Sequence, residues 1–286
     1  MTRVYSREEV RALRLRSPRS AGSAVIGESR TRTRASQGVE IADFREYTPG
    51  DDVGRIDWNI TARVGKPFVR LYVEERGFPV LFMVDVSAST QSGAVHAVIA
   101  ETAARLASAA VWDGHSTALM RFTDRVHSYL PSAAGPRQLD RLIAELNQPL
   151  SQAASTDLAR VLTYLNFLAL RRSLVFLLSD FLCPDFEAPL LRCAHRHEIV
   201  PIAVEDPLTS HLEDRGLIDV RDPESGHSMQ IDTSSPHVRA AWAQLIAARR
   251  QRSVDTFRKA GLDHLSLSAD SPPAGILAAF LKDRAH

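Results

Sequence analysis

Two unbroken apolar runs constrain this chain more than any other feature: PVLFMVDV over residues 79–86 and LVFLLSD over residues 174–180. A strand with one wet face alternates apolar and polar residues. A continuous run marks a strand buried on both faces, which requires layers of helix above and below a mostly parallel sheet. The segments around these runs fit that demand. AVHAVIAETAARLASAAVW reads as a long alanine-rich helix and STALMRF as a further strand. PRQLDRLIAEL reads as a helix with Pro136 at its first position. STDLARVLTYLNFL reads as a helix capped by Ser155 or Thr156. DFEAPLLRCAHRH and EIVPIAVE add another helix and strand.

Strands alternating with helices at this spacing predict an α/β fold: an open, mostly parallel Rossmann-like sheet with helices on both faces. At 286 residues the chain can bury such a core without covalent staples, and its two cysteines, Cys183 and Cys193, exclude a disulfide framework. After the last of these strands the rhythm changes. GLIDVRD and SMQID read as a hairpin. A long amphipathic helix follows, with Ser235 as cap, Pro236 at its first position and an apolar stripe of Val238, Trp242, Leu245, Ile246 and Phe257. HLSLS and GILAAFL supply a last strand and helix. The organisation expected is an arginine-rich helix and flexible arm over 1–35, a linking block with a β-strand over 36–77, the main α/β domain over 78–205 and a C-terminal region over 206–286. The linking block and the C-terminal hairpin are expected to form one small β subdomain.

Charge narrows the function. Thirty-five basic residues against thirty-four acidic ones leave no overall field to attract nucleic acid. The N-terminal arm is the exception, with nine arginines and three acids between Met1 and Arg34. Such an arm suits an acidic partner, nucleic acid or an anionic membrane face, or is a solvated tail. Ser6 and Glu9 have capping-box spacing for a short helix with an apolar edge at Val10, Leu13 and Leu15. No apolar run approaches the ~18 residues of a membrane span, and the N-terminus lacks the apolar core of a secretory signal. These features predict a cytoplasmic protein without an integral membrane segment, and leave peripheral membrane association open.

Ligands of open α/β sheets bind beyond the carboxyl ends of the strands, near the point where strand order reverses. The first buried run ends in Asp85-Val86-Ser87-Ala88-Ser89, the later one ends in Ser179-Asp180, and Ser155-Thr156-Asp157 opens a helix between them. Asp85, Ser87, Ser89, Thr156 and Asp180 therefore offer two carboxylates and three hydroxyls from separate loops. Hard oxygen donors of this kind suit a small divalent cation, Mg²⁺ first, with Mn²⁺ or Ca²⁺ as alternatives. Two carboxylates neutralise one such cation, and hydroxyls fill positions without adding charge. The bland reading has Ser87 and Ser89 capping the next helix and Asp85 satisfying loop amides.

This order, Asp-x-Ser-x-Ser, then Thr, then Asp, resembles the metal-ion-dependent adhesion site of von Willebrand factor A domains at Asp85, Ser87, Ser89, Thr156 and Asp180. One departure is that Ala153 and Ala154 stand where the family usually carries glycines. The preceding block, with Phe44, Arg45, Tyr47, Pro49, Gly50, Asp51, Asp52, Arg55, Asp57, Trp58 and Asn59, is similar to the signature of the bacterial domain of unknown function 58 family. That resemblance implies a von Willebrand factor A-like domain that binds a divalent cation. It also implies an adaptor role, bringing a MoxR-type AAA+ ATPase to a client protein that offers an acidic residue. It implies no catalytic activity, and the partner-binding residues remain unassigned.

A different class, Mg²⁺-dependent phosphotransfer of the haloacid dehalogenase type, would make Asp85 the nucleophile and Asp180 and Asp185 a later acidic pair. Against it, Ser87 stands where the general acid is needed, and no lysine occurs between Pro67 and Arg258 to neutralise developing charge. No phosphate-binding G-x-x-x-x-G-K-[ST] loop is present, so ATP hydrolysis by the chain itself is not expected. His195 and His197, with Cys183 and Cys193 nearby, match no zinc spacing. Trp58 reads as a core anchor of the linking block before an exposed recognition aromatic, and Asp51 and Asp52 as turn residues before a cation site. Asp57 and Arg55 are candidates for an ion pair.

Overall fold

The computed structural model describes residues 2–15, 41–48, 53–72, 77–91, 94–149, 155–221 and 227–284. The chain resolves into two units, Ala24–Gly77 and a larger one comprising Met1–Ser23 and Phe78–His286.

In the smaller unit, β1 (Ile41–Glu46) pairs antiparallel with β2 (Phe68–Tyr72). Between them lie a single 3₁₀ turn, Val53–Arg55, and helix α1 (Trp58–Val64). Asp57 organises this connection as the cap of α1. Its carboxylate accepts from the backbone N–H groups of Asn59 and Ile60 at 2.9 and 3.2 Å, and its own N–H donates to Phe68 O at 2.8 Å. Gly65 ends the helix with φ 77°, a left-handed cap that glycine adopts without strain. Trp58 is not a core anchor: it is 66% exposed, because it sits at the first position of a helix none of whose residues is buried. The turn expected at Pro49-Gly50, with Asp51 and Asp52, lies outside the described residues.

The larger unit is built on a six-stranded sheet in the order β10-β7-β6-β3-β4-β5. Its strands are β3 (Pro79–Asp85), β4 (Ser116–Phe122), β5 (Val126–Ala133), β6 (Leu174–Ser179), β7 (Glu198–Glu205) and β10 (Leu265–Ser268). All neighbours are parallel except the β4–β5 edge pair. Alternate residues of the two apolar runs enter different cores. Val80, Phe82, Val84, Leu174, Phe176 and Leu178 face one layer, with Phe82 and Phe176 stacked at 5.7 Å. Leu81, Met83, Val175 and Leu177 face the other.

The first layer contains α2 (Val95–Trp112), α3 (Pro136–Leu146) and α8 (Pro273–Asp283). The second contains α4 (Leu158–Phe167), α5 (Glu187–Arg196) and Phe257 of α7 (Pro236–Lys259). A one-turn helix, α6 (Pro207–Ser210), precedes the hairpin of β8 (Leu217–Arg221) and β9 (Ser228–Asp232). The chain is thus the mixed α/β, mostly parallel architecture that the apolar runs demanded. β1–β2 and β8–β9 are two separate two-stranded sheets.

The N-terminal segment departs from expectation. The Ser6–Glu9 hydrogen bonds form at 2.9 and 3.4 Å, but they close a turn rather than a helix. Tyr5, Val10, Leu13 and Leu15 are buried in the same core as α2. Tyr5 N–H donates to Ser108 Oγ at 3.2 Å, Trp112 Nε1 donates to Tyr5 O at 2.9 Å, and the Arg105 guanidinium lies 4.1 Å from the Tyr5 ring centroid. Arg14 pairs with Asp113 at 2.9 Å. Residues 2–15 therefore bind their own chain, and the rest of the arm lies outside the described residues. No helix among the described residues is long and apolar enough to cross a membrane.

Candidate metal centre

Strand order reverses between β3 and β6: the chain leaves β3 for β4 on one side and returns through β6 on the other. Asp85 ends β3 and Ser179 ends β6, so the two carboxylate-bearing loops leave the sheet side by side at its switch point.

Asp85 is 1% exposed, and both of its carboxylate oxygens are engaged. Oδ1 accepts from Ser87 N–H at 2.9 Å, and Oδ2 accepts from Ser179 Oγ at 2.6 Å. Ser87 Oγ lies 3.2 Å from Ser89 Oγ and 3.4 Å from Thr90 Oγ1. Thr90, which sequence reasoning passed over, fastens this turn by reaching the carbonyls of Asp85 and Ser87, each at 3.1 Å. Neither serine caps the following helix: α2 begins at Val95, its cap is Ala94, and no side chain caps it.

On the β6 side, Ser179 Oγ accepts from Phe181 N–H at 3.1 Å while donating to Asp85, and Asp180 Oδ1 accepts from Leu182 N–H at 3.1 Å. Phe181 and Asp185 both have left-handed backbones, with φ 53° and 61°. Such conformations are costly for a bulky residue and persist where surrounding contacts fix them. Here Phe181 O accepts from Ser253 Oγ of α7 at 2.9 Å, and the Phe181 ring packs edge-on to Phe257 at 4.9 Å.

Thr156 arrives by a third route. Asp157, not Ser155 or Thr156, caps α4, accepting from Arg160 N–H at 2.8 Å. Its own N–H donates to Thr123 O, beyond the end of β4, at 3.2 Å. Capping by Asp157 leaves Thr156 outside the helix, where it lines the same open cleft as Ser89 and Asp180. Ser155 is exposed. Ala153 and Ala154 lie outside the described residues.

Electrostatics tie the loops together. Burial pushes the Asp85 carboxyl up, to about 7, and the neighbouring charge of Asp180 adds to the rise. Burial also raises Asp180, against opposing hydrogen bonds from Leu182 and Ser89 and the positive charge of Arg250. Two desolvated carboxylates that feel one another's charge are costly to ionise, and a divalent cation would relieve both burdens. The donor set of Asp85, Asp180, Ser87, Ser89 and Thr156 fits a hard cation that retains water ligands. Among the described residues, no group of three or more His, Cys, Asp or Glu side chains is placed to hold a metal. A cation here would depend on hydroxyls. Cys193 points elsewhere: its thiol donates to Leu162 O at 3.2 Å, and burial pushes its pKa up to about 12.

Comparison with known proteins gives relatives over most of the chain. The family model described as "Protein of unknown function DUF58" matches residues 43–252. Uncharacterized protein Mb1516 of Mycobacterium bovis is 31% identical over 255 residues, covering 86% of this chain and 80% of that protein. Uncharacterized protein MAV169 of Mycobacterium avium is 33% identical over 129 residues, covering 45% of this chain and 76% of that one. Among solved structures, the conserved hypothetical protein BatB from Bacteroides thetaiotaomicron is similar with TM-score 0.47 and 13% identity, covering 73% of this chain and 99% of that one. The pilus adhesin SpaC from Lactobacillus rhamnosus GG, in its open conformation, matches with TM-score 0.41 and 12% identity, covering 73% of this chain and 29% of that one.

Proposed function

We propose, from the premise that the chain belongs to the DUF58 family, that it is a metal-ion-dependent protein-binding module of von Willebrand factor A type. Asp85, Ser87, Ser89, Thr156 and Asp180 would hold one divalent cation, Mg²⁺ first among candidates. The cation would supply a coordination position for a carboxylate of a partner protein. The resemblance of the linking block suggests the pairing: a MoxR-type AAA+ ATPase, which this chain would bring to a client offering an acidic residue.

The observation that carries this reading is the pair of carboxylates at the switch point, buried Asp85 and half-buried Asp180, each destabilised in its ionised form with serine hydroxyls beside them. No observation favours phosphotransfer. Ser87 stands where that chemistry needs a general acid, and no lysine lies between Pro67 and Arg258 to neutralise developing charge. Titration of the purified chain with Mg²⁺ and Mn²⁺ by calorimetry tests the site, with Asp85→Ala as control. Pull-down of a purified MoxR-type ATPase in Mg²⁺ and in chelator tests the pairing. Saturable binding of about one cation, lost in the variant, supports the site. No cation binding by the wild type overturns it, and ATPase capture indifferent to both metal and variant overturns the metal-dependent pairing.

A further inference from the structure

The cleft that holds Ser89, Thr156 and Asp180 has a volume of about 1810 Å³ and is walled on one side by α7. Most charges of that wall are already answered within the chain. Arg250 pairs with Glu205 at 3.0 Å, Lys259 with Glu187 at 3.4 Å, and Arg258 with Asp255 at 3.6 Å. Asp206 caps α6 through Leu208 N–H at 2.9 Å. Arg249 and Arg252 differ: both are exposed, they stand three residues apart on one helix face, and among the described residues neither guanidinium has an ion-pair or hydrogen-bond partner. Of the acidic lining residues, once these pairs, the Asp206 cap and the proposed metal site are set aside, Asp185 remains.

The same cleft carries uncovered apolar surface. Leu208 is 73% exposed, Met229 60% and Leu245 47%. Leu245 precedes Arg249 by four residues, so apolar and cationic surface follow one another along a single helix face. Exposed apolar patches rimmed by unpaired charge mark interaction sites, and guanidinium groups favour bidentate pairing with carboxylates.

We propose that this cleft receives an acidic, partly apolar segment of a partner protein, whose carboxylates engage Arg249 and Arg252 while its apolar side chains cover Leu208, Met229 and Leu245. This rests on the metal-site reading, since a further carboxylate of the segment would reach the cation. Arg249 and Arg252 then select partners rich in acid around the coordinating residue.

The test is selection of random peptides displayed against the full chain in Mg²⁺, followed by fluorescence anisotropy of the selected peptides. Enrichment of Asp and Glu together with Leu or Phe is expected. Affinity is expected to fall about tenfold or more in Arg249→Glu/Arg252→Glu, a surface double variant whose fold circular dichroism checks. Peptides with flanking acids exchanged for lysine should recover binding to that variant. Peptides lost in chelator or in Asp85→Ala yet indifferent to charge reversal would overturn the cleft proposal and leave the metal site standing. Peptides indifferent to chelator but lost on charge reversal would keep the cleft and overturn the metal reading. Selected peptides without acidic enrichment, or no selected peptides, overturn the cleft proposal.

Discussion

Ser179 Oγ donates to Asp85 Oδ2 at 2.6 Å across the junction of two neighbouring parallel strands, from 94 residues further along the chain. The same hydroxyl accepts from Phe181 N–H, so one serine fixes both the carboxylate of the first loop and the start of the second. Ser179 was absent from the motif read in the sequence, where it is merely the last residue of an apolar run. Its role follows from the β3–β6 pairing, which no local spacing reveals.

Ser179→Ala is therefore expected to weaken cation binding while retaining the fold. The serine hydrogen bond opposes the rise in the Asp85 pKa, so its loss favours the protonated carboxyl that a cation must displace. A hydrogen bond to a charged group contributes about 1.5–3 kcal/mol, which corresponds to roughly ten- to hundredfold in affinity. Calorimetric Mn²⁺ titration of wild type and variant reads this directly. Equal affinities would remove Ser179 from the site.

The pH dependence of the metal-free protein follows from the raised carboxyls. Asp85 titrates near 7 when folded, and Asp180 is raised as well, whereas an unfolded Asp titrates at about 3.9. Between those values the folded state binds more protons than the unfolded state, so stability falls as pH rises through the window. In Asp85→Asn that slope should flatten. Cation affinity should increase over the same range, because binding expels the proton. Calorimetric melting temperatures in chelator, from about pH 5 to about pH 8, check the first statement. A stability that climbs through this interval would contradict it.

Much of the architecture was legible because it rests on strong local signals: runs such as Val80–Val84 and Leu174–Leu178, and the proline starts at Pro136 and Pro236. What escaped lacked such signals. Strand β5, Val126–Ala133, contains Pro131 and buries none of its residues, as an edge strand allows. In α7 the expected stripe is buried only at Ile246 and Phe257, while Leu245 faces the cleft. The N-terminal segment hides its role because its four buried side chains are spaced irregularly among arginines. Of the candidate site, the five motif residues could be read from type and order. The contributions of Ser179 and Thr123 could not, since each acts through a tertiary hydrogen bond; Thr90 acts within its own turn, on carbonyls that no side-chain pattern marks.

Tyr5→Ala should expose how far that N-terminal segment stabilises the main unit. Tyr5 is 6% exposed, its backbone is held by Ser108 and Trp112, and its ring lies against Arg105. Removing a buried aromatic ring costs about 3–5 kcal/mol in a closed core. A segment near a chain end relaxes more readily, so about 3 kcal/mol is expected. Urea denaturation measures the loss, and Trp112 fluorescence should change in the same variant. A cost below about 0.5 kcal/mol, the range of ordinary surface substitutions, would mean that the segment does not dock as described.

Asp157 separates helix capping from the proposed metal ligation within one loop. Its carboxylate caps α4 through Arg160 N–H, and its backbone hangs the loop from Thr123 O. Asp157→Ala removes the cap alone, a loss of about 1 kcal/mol, while leaving every proposed ligand in place. The backbone bond to Thr123 survives the substitution, so cation affinity should fall only a few-fold. Thr156→Ala removes a proposed ligand but no cap. It should lower cation affinity by more than Asp157→Ala, with little effect on stability. Ser155→Ala, at an exposed position, should change neither. Parallel denaturation and Mn²⁺ titration of the three variants distinguish these outcomes. If Thr156→Ala were to lose stability and keep its affinity, the hydroxyl would be a structural group of the loop rather than a metal ligand.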